Sequence, residues 1–193
     1  YNLNSLIQNI DLGTIGLPDI QRPFVWKDTK VRDLFDSLYK GYPVGYFLFW
    51  ENANNEGVKG IGTDVKQKFA NLLIVDGQQR LTSIYAVLKG HEVIRENYDK
   101  TKIVIAFNPL EEKFENPDAA IRNDPRYFQN ISKIWSNDAD IFDITDEFVE
   151  NLKKHKEISA EEIRKIRKNF NKVKNLENYP FSVLELSSEI NEE

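Results

Sequence analysis

Leu72-Leu73-Ile74-Val75-Asp76-Gly77-Gln78-Gln79-Arg80-Leu81-Thr82 is the stretch whose reading decides the fold. Its four apolar residues, two of them β-branched, read as a buried strand. Asp76-Gly77 breaks that strand, and Leu81, Ile84, Tyr85 and Leu88 then recur at helical spacing up to Gly90. The order is strand, tight turn, helix. Gly77 can take the positive φ that other residues resist, and the unbonded N–H groups of the first helical turn then face outward beside Gln78, Gln79 and Arg80. Such a turn predicts an anion site.

Working outward to the N-terminal side, Val44 to Trp50 reads as a short aromatic strand. Gly45 at its start predicts the close approach of another segment's backbone or of a ligand, against plain packing under a helix. Val31, Leu34, Phe35 and Leu38 fall at i, i+3, i+4 and i+7. They predict an amphipathic helix that starts at Asp28 or Thr29 and stops at Gly41, with Pro43 behind it. Pro18 and Pro23 keep residues 17–26 out of a helix and favour an extended edge or coil. Arg22, lying there beside Gln21, reads either as a structural ion-pair residue or as one that points into a site. Leu3, Leu6 and Ile7 predict a short first helix with Asn4 or Ser5 as its cap.

Towards the C-terminus, residues 51–71 are rich in Asn, Gly and Lys and read as a surface loop or hairpin. Lys102 to Phe107 reads as the next strand, with Phe114 in a short pairing strand. Beyond about residue 117 the pattern changes to helices and loops. Tyr127, Phe128, Ile131, Ile134 and Trp135 form an apolar stripe at roughly helical spacing, residues 143–155 look helical, and Ser159-Ala160-Glu161-Glu162 is a capping box. It opens a long helix whose seam is Ile163, Ile166, Phe170 and Val173. Residues 179–186 alternate like a final strand. The expected fold is α+β: a small mixed sheet from 45–50, 72–75, 102–107 and 181–186, flanked by helices at 29–40 and 78–89, with a helical C-terminal extension over about 117–176.

The chain has 193 residues, 40% of them hydrophobic and 12% aromatic, enough for a sizeable core. It has no cysteine, which excludes disulfides and thiolate metal sites. No apolar run approaches the roughly 18 residues of a membrane span, and no signal-peptide layout opens the chain. A soluble, cytoplasmic protein is expected. The chain opens on Tyr1 and has no methionine, so a fragment of something longer is expected too. The net charge of −5 argues against non-specific coating of nucleic acid. The average hides a split, because residues 151–174 carry nine Lys and Arg against three Glu. Arg164, Lys165, Arg167 and Lys168 lie off the apolar seam there. Their face reads first as a solvated surface and second as a DNA-binding one.

Nothing matches the Gly-x4-Gly-Lys-Ser/Thr loop, and His91 and His155 have no partner at metal-ligand spacing. The remaining catalytic vocabulary is Asp, Glu, Gln, Arg and backbone N–H, which suits phosphate handling. Residues 76–80 support two readings equally. In one, Asp76 caps the helix and Gln79 reaches back to complete a capping box. In the other, the helix N-terminus and Arg80 take a phosphate while Asp76 holds Mg2+ or orients water.

Four motifs, in order, carry a family resemblance: Leu17 to Trp26, Val31-Arg32-Asp33-Leu34 through Ser37-Leu38, Gly41 to Gly45, and Val75 to Thr82. Together they resemble the N-terminal domain of GmrSD-type restriction systems, which bears an Asp-Gly-Gln-Gln-Arg motif and is related to the ParB/sulfiredoxin fold. The resemblance covers about residues 15–90; the rest is placed by layout. It implies a ParB-like nucleotide-binding core over 1–116 and a helical extension over 117–193 ending in a strand that returns to the sheet. It further implies a nucleoside triphosphate (GTP, ATP or CTP) with Mg2+, NTP hydrolysis, and control of a nuclease domain on the same longer chain or on a partner subunit. The system would act in phage defence on modified DNA. Asp76 and Arg80 would be catalytic, with Asp76 the metal ligand. Gln21, Arg22, Gly77, Gln78, Gln79 and Thr82 would hold the nucleotide. The alternative is a non-catalytic module that recognises modified DNA.

Overall fold

The computed structural model describes residues 1–18, 23–52, 58–59, 66–67, 70–136 and 138–187. In chain order these form α1 (Leu3–Asp11), β1 (Ile15–Pro18), α2 (Asp28–Lys40), β2 (Phe47–Glu51), β3 (Val58–Lys59), β4 (Lys66–Gln67), β5 (Leu72–Asp76) and α3 (Gln78–Lys89). Then come β6 (Glu92–Ile94), β7 (Lys100–Lys102), β8 (Ala106–Asn108), β9 (Lys113–Glu115), α4 (Ala119–Asn123), α5 (Ile141–Lys153), α6 (Ala160–Lys174) and β10 (Val183–Leu186). The main sheet is mixed, in the order β10-β2-β5-β1-β3-β4. β5 runs antiparallel to β2 and parallel to β1, and β10 lies parallel to β2. The fold is therefore α+β, with a small mixed sheet and flanking helices.

Hydrophobic periodicity explains the core. Ile15, Phe47, Phe49 and Ile74 from the sheet are buried, and so are Leu3, Leu6 and Ile10 of α1 and Leu81, Ile84 and Leu88 of α3. All belong to one contiguous cluster, which also takes Phe148, Ile166, Phe170 and Val173 from the C-terminal helices. Phe170 meets Phe107, Phe128 and Phe148 edge-on, with ring centroids 5.3 to 6.2 Å apart. Residues on both sides of position 117 thus share one core. Gly41 ends α2 in the left-handed region, as its position predicts.

Three expectations are corrected. The stretch 102–107 does not join the main sheet. It divides between β7, which pairs with β6, and β8, which pairs with β9. Ile103 and Ile105 between them are buried, and the backbone of this run bonds to the following segment: Ile131 N–H donates to the Ile105 carbonyl at 2.9 Å and Phe107 N–H to that of Phe128 at 2.9 Å. A buried apolar run needs its backbone satisfied, and here a loop supplies the partners. The stripe at 127–135 is helical only over Ile131–Trp135, as a 3-10 turn, because Tyr127 and Phe128 run alongside β8. Finally, α1 is capped by Asn2, whose side chain accepts the Ser5 N–H at 2.8 Å while Ser5 Oγ accepts the Asn2 N–H at 3.1 Å.

The capping box at α6 forms as read. Ser159 Oγ accepts the Glu162 N–H at 3.1 Å, and Glu162 accepts the Ser159 N–H at 2.8 Å. Lys156 adds an ion pair to the same carboxylate at 2.7 Å. The Lys156 ammonium and then the Ser159 N–H pull the Glu162 pKa down to about 2. A depressed folded-state value means that the stabilisation is complete above the ordinary value of 4.5 and is lost as pH falls towards about 2. The thermal midpoints of wild type and Glu162→Gln should therefore differ at neutral pH and converge across that acid window.

Candidate functional site

The end of β5 is turned by a register slip. In an unbroken strand Asp76 would share the face of Ile74, which is only 2% exposed. Instead Leu48 faces Asp76 while its neighbour Phe49 faces Ile74, so Val75 is left over as a bulge. Val75 and Asp76 both emerge exposed on the wall of a cleft. The cleft, about 1070 Å³, lies between the carboxyl end of β5, the start of α3, residues 30–37 of α2 and the turn at Pro43-Val44. Trp26 and Trp50 line it as aromatic walls, and Lys30, Asp33, Asp76 and Arg80 bring charge.

Gly77 stands at the N-cap of α3 with φ of +90°, and as a glycine it has no side chain to cap the helix. The capping-box reading of Asp76 and Gln79 is thereby corrected. The Gln79 amide is turned elsewhere: its Oε1 accepts the Val25 N–H at 2.9 Å and its Nε2 donates to the Pro23 carbonyl at 3.0 Å. One side chain thus fastens the extended segment before α2 to the start of α3. Removing it with Gln79→Ala should cost about 1 to 2 kcal/mol, the worth of two solvent-accessible hydrogen bonds, and should speed proteolysis near residues 23–26. Urea unfolding and limited proteolysis measure both.

Arg80 fastens the other side. Its Nη1 donates to the Val44 carbonyl and its Nη2 to the Tyr46 carbonyl at 2.7 Å, and its guanidinium carbon lies 5.0 Å from the centre of the Phe47 ring. Burial lowers the Arg80 pKa, and the Asp76 carboxylate opposes that shift. The sequence predicts a backbone or a ligand close to Gly45; the close approach is made instead by this side chain, since a Cβ there would lie 2.3 Å from Nη1. A third fastener comes from β6–β7, where Arg95 bonds the Trp26 carbonyl and pairs with Asp28 while stacking over Phe24 at 5.0 Å.

The expected site residues separate accordingly. Asp76, Gly77, Gln78, Gln79 and Arg80 all line the cleft. Thr82 does not; it is 8% exposed and its hydroxyl is buried inside α3 with no hydrogen-bond partner among the described residues. Gln21 and Arg22 lie outside the described residues. Arg164, Lys165, Arg167 and Lys168 are exposed on α6 and away from the cleft, and Arg167 pairs with Asp146 at 2.9 Å. Sequence reading gave no role to Lys30, Asp33, Trp50 or Arg95. The signals there were Asp33, inside the Val31-Arg32-Asp33-Leu34 motif, and Lys30 three residues before it on the polar side of α2.

Among the described residues no three His, Cys, Asp or Glu side chains gather into a metal cluster. Mg2+ is commonly held by one or two carboxylates together with substrate phosphates and water, and Asp76 on the cleft wall fits that donor set. No helix among the described residues is long and apolar enough to cross a membrane.

Fold and cleft together define an α+β domain with an aromatic-walled cleft, studded with a few charged side chains, at the carboxyl end of a central strand. The chain belongs to the GmrSD restriction endonuclease N-terminal domain family, whose sequence profile it matches over residues 3–193. It is also similar to an uncharacterized protein, MJ0686, of Methanocaldococcus jannaschii: 29% identical over 154 residues, covering 74% of this chain and 26% of that protein. The chain thus spans about a quarter of the length of that relative.

Proposed function

We propose that this domain binds a nucleoside triphosphate and regulates a modification-dependent DNA restriction system of the phage-defence type. The observation that carries this reading is the cleft itself, where the uncapped N-terminus of α3, a carboxylate and two tryptophans converge. The N–H groups and the positive dipole end of a helix N-terminus favour a phosphate. Asp76 would hold Mg2+, which would supply charge neutralisation for the phosphates. Trp26 and Trp50 offer flat apolar surface for a base. The nuclease that the nucleotide controls would lie elsewhere on a longer chain or on a partner subunit in the cytoplasm.

Calorimetric titration of GTP, ATP and CTP with Mg2+ tests this. At least one should bind, and Asp76→Asn should weaken binding only when Mg2+ is present. Binding by none of the three rejects the reading, and phosphate release distinguishes a hydrolase from a sensor.

One observation favours a second reading, a non-catalytic module that senses modified DNA. Arg164, Lys165 and Lys168 are exposed on one helix, whereas Arg167, Lys172 and Lys174 are engaged by Asp146, Glu112 and Glu177. Duplex DNA affinity should then fall with salt and weaken on charge reversal at Lys165 and Lys168. Affinity indifferent to salt counts against it.

A further inference from the structure

The cations that line the cleft among the described residues are Arg80 and Lys30. Arg80 already donates both terminal nitrogens to backbone carbonyls of the 44–46 turn. Turning it towards a ligand would release that turn. Lys30 is different. Its ammonium sits 4.2 Å from the centre of the Trp26 ring, and among the described residues it pairs with no carboxylate. Two acids of the same helix are engaged elsewhere, Asp33 by Arg32 at 2.6 Å and Asp28 by Arg95.

Lys30 also stands in the first turn of α2. A cation there meets the positive end of the helix dipole, so the helix gains nothing from it. A cation held over an aromatic face keeps its charge and its three donors while losing rotamer freedom in advance. Trp26 itself is fixed by Gln79 through Val25 and Pro23, and by Arg95 through its own carbonyl. The ammonium is thus carried on a platform held from two sides.

We propose that Lys30, poised over Trp26, is the side chain that takes the polyphosphate of the nucleotide in this cleft, and that Arg80 is a positioning residue which shapes the turn beside it. This rests on the nucleotide reading above. The phosphates would draw the ammonium towards the α3 N-terminus and off the indole. Tryptophan emission would report that movement.

The test titrates inorganic triphosphate, GTP, ATP and CTP, each with Mg2+, against wild type, Lys30→Ala, Lys30→Arg and Lys27→Ala. Lys27 is exposed, adjoins the same helix and does not line the cleft. For every probe that wild type binds, Lys30→Ala should weaken binding about tenfold, the loss of one charge-assisted contact. Lys30→Arg should recover most of it, and Lys27→Ala should match wild type. With inorganic triphosphate, which has no base to lie against Trp50, Trp26→Phe should abolish the emission change. Binding by Lys30→Ala equal to wild type overturns the inference and leaves the nucleotide reading standing. Wild type binding none of the four probes overturns both.

Discussion

Arg80→Ala should unfold at a free energy lower than wild type by about 3 kcal/mol, a drop of roughly 6 to 12 °C in thermal midpoint for a chain of this size. The estimate follows from where the guanidinium goes. It donates from a charged group to the Val44 and Tyr46 carbonyls and covers the face of Phe47, which is fully buried. Hydrogen bonds from charged donors are worth about 1.5 to 3 kcal/mol each, and part of that is lost to solvent because the site is half open. Truncation leaves two carbonyls without their donor and uncovers an aromatic ring. Arg80→Lys should recover little, since one ammonium cannot reproduce a planar fork that meets two separate carbonyls. A free phosphate-binding arginine would behave in the opposite way: stability unchanged, affinity lost. Denaturation without nucleotide therefore separates positioning from ligand contact before any binding is measured.

The difference between those two roles was not legible in the sequence. Val75-Asp76-Gly77-Gln78-Gln79-Arg80 reads correctly as strand, turn and helix because each signal is local: a β-branched run, a glycine, a helical period. The α6 seam and its capping box are legible for the same reason. What Arg80 and Gln79 touch depends on segments more than 30 residues away, and no local pattern encodes that. Asp76 is a sharper case. Period-two alternation from Ile74 would send it into the core, and only the slip against Leu48 and Phe49 turns it to the cleft. The run at 102–107 was misplaced for a related reason: apolar composition reports burial, not which partner satisfies the backbone. Lys30 went unread because one lysine on a polar helix face is indistinguishable from the solvated lysines around it until Trp26 is seen beneath it.

The two glycines that face Arg80 should respond differently to the same added methyl group. Both stand at positive φ, +88° at Gly45 and +90° at Gly77, where a side chain costs about 1 to 2 kcal/mol for backbone strain alone. At Gly45 the new Cβ would meet Arg80 Nη1 at 2.3 Å. That atom is the end of a flexible chain and can move, but moving breaks its bond to the Val44 carbonyl. At Gly77 the Cβ would meet Phe47 Cδ1 at 2.5 Å as well as Arg80 Nη2 at 2.9 Å. The ring is locked in the core against Phe49 and Phe181 and has no such escape. Gly77→Ala should therefore destabilise by about 4 kcal/mol and Gly45→Ala by about 3. The discriminating measurement is urea unfolding of each variant in an Arg80→Ala background. There Gly45→Ala should retain only the backbone strain, about 1 to 2 kcal/mol, because its clash and the bond it breaks are both already gone. Gly77→Ala should keep most of its cost, because Phe47 remains. Equal costs for Gly45→Ala in both backgrounds would mean that Arg80 does not occupy the space beside that turn, and the clamp itself would be wrong.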